Sequence, residues 1–265
     1  MRAKMAARAL LVRLASGALA LAVTARFGGW RCPSPAGCDK EAPRVEAPEA
    51  AAPAAASLVP SSAPEPPRAP EIIVDPSTIA IGQQRLATGE PNLDDRLVEI
   101  LKAQPLIEGN GVEFVAMRNA KPSQVAEVAS SLRRAKAKGA TVKTEARDGS
   151  TEKLVLSFAT KVVDCAATAW IAKDGAIDVW PAGGATAERF VKGLAGPDMT
   201  LGSEALARLS GACTAGEVIV GGDDRFPWGV VFDLATRSLK TPPSHAGAVV
   251  VVATAVPGRK LKLQE

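Results

Sequence analysis

The chain has 265 residues, 47% hydrophobic and 23% charged, with 32 Lys/Arg, 28 Asp/Glu, four cysteines, one histidine and no tyrosine. Its net charge of +4 belongs to residues 1–70, which hold nine basic and five acidic residues, whereas residues 71–265 hold 23 of each sign. That length suits one or two domains, no apolar run fits a polytopic membrane protein, a lone histidine argues against His-based metal clusters and triads, and a neutral folded part gives no footprint for DNA or RNA.

Arg2, Lys4, Arg8 and Arg13 precede the uncharged stretch Leu14 to Ala25, which ends in Val23-Thr24-Ala25. A basic start, a short apolar core and a small-residue site predict a secretory signal peptide over residues 1–25. The alternative is an uncleaved N-terminal anchor, which requires Arg13 in the hydrocarbon at roughly 2.5–3.5 kcal/mol. Cys32 follows Gly29-Trp30-Arg31, not the small apolar residues of a lipidation site. Residues 33–70 contain ten of the 20 prolines, interleaved with Ala, Glu and Ser. Proline fixes φ and donates no hydrogen bond, so this stretch reads as a disordered linker with a reach on the order of 100 Å.

From Glu71 onward the chain resembles itself. Ile72–Ile81 reads as a hairpin turning at Asp75-Pro76-Ser77, and Trp170–Val179 as a second turning at Asp174-Gly175. Helices follow at Leu93–Ala103 and Ser203–Leu209. Next, Val112–Val125 aligns without a gap on Glu217–Val230, with Pro122 on Pro227, Phe114 on Ile219 and Val125 on Val230. Each is a short apolar strand, a polar turn and a proline at a helix start, where its missing N–H costs nothing. Val125, Val128, Ala129 and Leu132 make an apolar stripe, closed by basic residues and a Gly139 stop. Val230, Val231, Leu234 and Ala235 make the matching stripe, ending before Pro242-Pro243. Strands are expected at Thr141–Ala146 and Lys153–Phe158, and at Ala248–Ala255. The fold class is therefore α+β: two repeated ββαβαβ-type units, at residues 71–160 and 165–256, each a mixed sheet with two helices on one face.

Ala172–Val179 and Val218–Ala235 resemble the periplasmic domain of the ExbD/TolR family, the biopolymer-transport proteins that partner proton-driven motors of the inner membrane. In the second stretch Asp223, Pro227, Trp228 and Gly229 occupy the family's acidic, proline-containing turn. The first unit keeps Pro122 and the strand–helix frame, with Arg118 where Asp223 stands. The resemblance implies a periplasmic or inner-membrane-anchored module, a possible homodimer, whose partners are envelope proteins of a proton-driven motor or peptidoglycan. The family's transmembrane aspartate has no counterpart, since no Asp or Glu precedes Asp39.

Cys165 and Cys213 each lie just before a strand, and export favours a disulfide between them; Cys32 and Cys38 are near enough for a local loop. Asp223, Asp224, Phe226 and Trp228 are the candidate partner-binding residues, set against the alternatives of helix-end acids and core aromatics. The basic run Arg133–Lys138 fits a solvated helix end or an anionic partner, and His245 falls in a loop. No Gly-x-Ser-x-Gly, Cys-x-x-Cys or phosphate loop occurs, Gly183-Gly184 and Gly221-Gly222 included. The expectation is a binding module, not an enzyme, with no cofactor and no metal. The alternative is a periplasmic solute-binding receptor using the inter-domain cleft.

Overall fold

The computed structural model describes residues 69–263; the expected signal peptide or anchor, Cys32, Cys38 and the expected linker as far as residue 68 lie outside them. In the first half, β1 (Ile72–Val74) turns into β2 (Thr78–Ile81). The Asp75 carboxylate fixes that turn, accepting bonds from the Thr78 hydroxyl at 2.6 Å and from the Ser77 and Thr78 amides at 2.8 and 2.7 Å. The Thr78 hydroxyl above all holds this carboxyl down at about 2, against the desolvation that opposes it. β3 (Gln84–Ala87), α1 (Leu93–Ala103), β4 (Gly111–Ala116), α2 (Pro122–Arg134), β5 (Gly139–Glu145) and β6 (Thr151–Leu156) follow. The second half runs β7 (Ala167–Ile171), β8 (Ile177–Pro181), β9 (Glu188–Phe190), α3 (Met199–Gly211), β10 (Glu217–Gly222), α4 (Trp228–Lys240) and β11 (Ala248–Val251).

The strands form a single mixed sheet of eleven, in the order β3-β2-β1-β4-β5-β6-β11-β10-β7-β8-β9. In the first half β1 pairs antiparallel with β2 and parallel with β4, and β4 parallel with β5. In the second half β7 pairs antiparallel with β8 and parallel with β10, and β10 parallel with β11. Between them lies β6, antiparallel to β5 and parallel to β11.

Two features depart from the expected ββαβαβ units. Each half carries a third strand, β3 or β9, at an outer edge of the sheet. And the two sheets are one: β6 returns beside β5 as a hairpin and lends its other edge to β11. Helix α2 also ends differently. Lys136, at φ 61°, takes the left-handed position beyond its last turn, with Lys136 N–H on the Arg133 carbonyl and Ala137 N–H on the Leu132 carbonyl. That is a Schellman stop, and Gly139 already belongs to β5.

Strand parity separates two cores. Val218 and Val220 of β10 join Phe114, Val142, Leu97, Leu132, Leu206 and Phe232 in one cluster that takes in all four helices. Ile219, pointing the other way, joins Ala166, Val250, Val252 and Leu261 in a smaller cluster under the C-terminal segment. Leu261 N–H on the Ala182 carbonyl (2.8 Å) and Trp180 Nε1 on the Arg259 carbonyl (3.0 Å) pin that segment across β8. The corresponding face of the first half is polar, with Glu113 of β4 bridging Lys143 (2.5 Å) and Lys153 (2.8 Å). It needs no cover. No described helix is long and apolar enough to cross a membrane.

Candidate functional site: the meeting of two turns

The β4–α2 turn and the β10–α4 turn, aligned with each other in sequence, are in direct contact. A helix begins with N–H groups that have no partner inside it, and proline at the start of α4 offers no capping side chain. The first half supplies the acceptors: Trp228 N–H donates to the Ala120 carbonyl (2.7 Å) and Gly229 N–H to the Arg118 carbonyl (2.8 Å). The second half returns the service to α2, where the Asp224 carboxylate accepts from Ser123 N–H (3.1 Å) and from the Ser123 hydroxyl (2.7 Å). Each turn thus caps the other's helix.

Arg118 runs along the first turn of α4. It donates to the Glu145 carbonyl at 2.8 Å, to the Gly229 carbonyl at 3.3 Å, and to both oxygens of Asp233 at 2.8 and 3.1 Å. A Cβ on residue 229 would stand 2.9 Å from Arg118 Nε, so the close approach of this guanidinium explains the glycine. Arg147 adds a bond to Asp233 at 2.7 Å. Burial tends to raise the Asp233 carboxyl, but the bonds and charges of Arg118 and Arg147 outweigh it and hold the group below its usual range.

The four candidate partner-binding residues have separate fates. Trp228 is fully buried, with Nε1 on the Thr144 hydroxyl at 2.9 Å and its ring 6.0 Å from that of Phe232. Phe226 is half-buried against the main core. Asp223 shapes the turn, its N–H on the Ile171 carbonyl and its carboxylate on Arg225 N–H at 3.0 Å. Asp224 is exposed and engaged with Ser123. In the basic run, Arg134 pairs with Asp95 at 2.7 Å and Lys136 with Glu108 at 3.1 Å, and His245 is exposed.

Two clefts flank the junction. One, of about 430 Å³, lies by Arg147, Asp233, Arg237 and Lys240. The other, of about 290 Å³, lies under α2 and takes its walls from both halves, Glu127 and Phe158 from the first and Val251 and Lys262 from the second. Glu127 shares a hydrogen bond with Asp94 of α1; burial first, then that bond and the Asp94 charge, raise its carboxyl from 4.5 to about 7. Nothing in the local sequence marks this pair. Among the described residues, no group of three or more His, Cys, Asp or Glu is placed to hold a metal ion.

No family model, curated protein or solved structure matches the chain.

Glu127 gives the first testable consequence. A carboxyl whose folded value lies above its unfolded one keeps its proton better when folded, so stability falls as pH rises from about 4.5 to about 7. Replacing Glu127 with glutamine removes that fall. Urea unfolding at pH 5 and pH 8 measures it: the midpoint difference should shrink in Glu127→Gln, and an unchanged difference would contradict the assignment.

Proposed function

We propose that the chain is an exported binding and interaction module of the cell envelope, built from two copies of one unit resembling the ExbD/TolR periplasmic domain. The recurrent pairing of β1, β2, β4 and β5 in β7, β8, β10 and β11 supports the duplication. The observation that carries the reading is the reciprocal capping of the two equivalent turns. A contact made between copies of the same turn is an assembly contact, and here both copies belong to one chain. The turn around Trp228 is therefore spent internally, and partners meet the module elsewhere. Outer edges suit that role, because an unpaired strand edge accepts another strand.

The β9 edge is the better placed. Val191 is 72% exposed and Leu194 fully so, directly after the edge strand. A bond between Cys165 and Cys213 is compatible with an oxidising, exported location. The partners of this reading are envelope proteins of a proton-driven motor, or peptidoglycan, with the proline-rich linker setting the reach from the membrane.

The test is photocrosslinking in the native envelope, with a photoreactive residue at Val191 or Leu194 and a control at Lys153 on the polar face of the first half. Adducts with a motor subunit or with peptidoglycan, specific to the β9 edge, are expected. A chain retained in the cytoplasm, or one giving identical background at all three positions, would overturn the reading. One observation favours a second reading, a solute-binding receptor: the cleft beside Glu127 is lined from both halves. In that case a free small solute raises the melting temperature with its concentration.

A further inference from the structure

The sheet has one weak seam. Every other pair of neighbouring strands shares at least two register positions, whereas β6 and β11 share only Val249↔Leu156. Ser157 N–H reaches the Val249 carbonyl at 2.8 Å, and there the ladder stops. On the other side the ladder to β10 runs on, with Val252 N–H on the Val220 carbonyl at 3.0 Å. Backbone groups alternate in direction along a strand, so the amide of Val251, the last residue of β11, faces away from β10, toward β6. Among the described residues no backbone hydrogen bond joins residues 158–159 to residues 251–254.

That parting of strands is the cleft of about 290 Å³ beneath α2. Its two sides are backbone just past the strand ends, Ser157–Ala159 after β6 on one and Val251–Thr254 from the last residue of β11 on the other, and its roof is the face of α2 that carries Ser123, Glu127 and Ser130. Backbone donors and acceptors are costly to leave unpaired once water is displaced. An extended segment laid between the two sides would satisfy both at once, as in strand addition. Four residues of wall correspond to about 13 Å of strand, enough for a segment of three to four residues.

Side-chain chemistry narrows the choice. The charged groups around the slot are Asp94 of α1, Glu127 and Arg133 of α2, and Lys262 of the C-terminal segment. Asp94 and Glu127 lie carboxyl to carboxyl, an arrangement in which two like charges repel unless a proton or a cation stands between them. A lysine or arginine side chain supplies that cation. The chain's own linker is a poor occupant, since its ten prolines bring no N–H to either side.

We propose that this slot is a strand-addition site for a short extended peptide segment of a partner protein. The segment lays its backbone between Ser157–Ala159 and Val251–Thr254 and sets a lysine or arginine side chain on Asp94 and Glu127. The proposal rests on the reading of the chain as a binding module and places one of its contacts.

The probe is a fluorescein-labelled pentapeptide, Val-Thr-Lys-Val-Thr, titrated against the full chain. It is compared with a version carrying norleucine for lysine, a version N-methylated at alternate residues, and free cadaverine. The lysine peptide should bind about tenfold or more tightly over norleucine, and N-methylation should abolish binding. Glu127→Gln and Asp94→Asn, each checked for an unchanged circular dichroism spectrum, should each weaken it about tenfold. Hydrogen exchange read in parallel should show new protection at Val251. Equal binding of the N-methylated peptide, indifference to lysine, or an unprotected Val251 amide would overturn the proposal. Cadaverine binding as tightly as the peptide would also overturn it, in favour of the solute receptor. Because the crosslinking test reads the distant β9 edge, the peptide can fail while the module reading stands.

Discussion

Replacing Trp228 with alanine should lower the unfolding free energy by about 3–5 kcal/mol, the usual cost of emptying a buried aromatic site. For a folded part of this size that corresponds to roughly 2–4 °C of melting temperature per kcal/mol. Trp228 is fully buried at the junction of the halves, so its removal opens a cavity between elements that have no reason to collapse together. It also leaves the Thr144 hydroxyl, on a residue only 1% exposed, without the Nε1–H it accepts at 2.9 Å. Trp228→Phe separates the two effects. It keeps most of the ring and loses the hydrogen bond, and should cost about 1–2 kcal/mol. Urea denaturation with both variants measures the pair. An alanine variant within about 1 kcal/mol of wild type would mean that the two turns do not hold the halves together.

Much of this junction was legible locally, but its meaning was not. Pro122 and Pro227 announce helix starts because proline has no N–H to waste, and α2 and α4 begin at or beside them. The Asp75-Pro76-Ser77 turn and the Cys165–Cys213 pair were visible for similarly local reasons: a short acceptor side chain in the first case, two strand entrances in the second. β3 and β9 carry no signal of their own, because Gln84-Arg85-Leu86-Ala87 and Glu188-Arg189-Phe190 are short and hold only Leu86, Ala87 and Phe190 as apolar residues. Edge strands need little apolar patterning, since only one residue in each pair faces the core. The glycine rule places the stop of α2 at Gly139, whereas Lys136 occupies the left-handed position usually given to glycine.

Trp228 shows a different kind of limit. An aromatic beside a proline, after an acidic turn, carries no local sign of which surface will cover it. What covers it is Thr144 and the β4–α2 turn, brought there by the far half of the chain. The Asp94–Glu127 pair is hidden for the same reason: each carboxylate sits on an ordinary amphipathic helix, and only helix packing makes them neighbours. Likewise the parting of β6 and β11 is a property of where two strands diverge, for which neither strand's composition gives a signal. Long-range pairing sets all three, and local periodicity is silent on it.

The Cys165–Cys213 bond should carry an effect of similar size. The cysteines lie 48 residues apart in sequence with Cα atoms 5.5 Å apart. β7 and β10, the strands they precede, are parallel neighbours, so both sulfurs fall at the entering end of the sheet. The closed loop contains β7, β8, β9 and α3, that is, the whole outer part of the second half. For a loop of that length the chain-entropy model gives about 4 kcal/mol through restriction of the unfolded chain, while removal of native bonds typically costs about 2–5 kcal/mol. The Cys165→Ser, Cys213→Ser double variant should therefore lose about 2–5 kcal/mol in urea unfolding. Reductant should bring wild type to the same midpoint and leave the double variant unchanged. Cys165 is exposed while Cys213 is 6% exposed, so reduction proceeds from the Cys165 side. A wild-type midpoint indifferent to reductant under conditions that break the bond would show that the loop is held by packing alone. If the loop-closure account holds, protein made in a reducing cytosol behaves as the double-serine variant. Full stability then becomes a property of the oxidised chain, and the redox environment enters the fold through a single covalent bond.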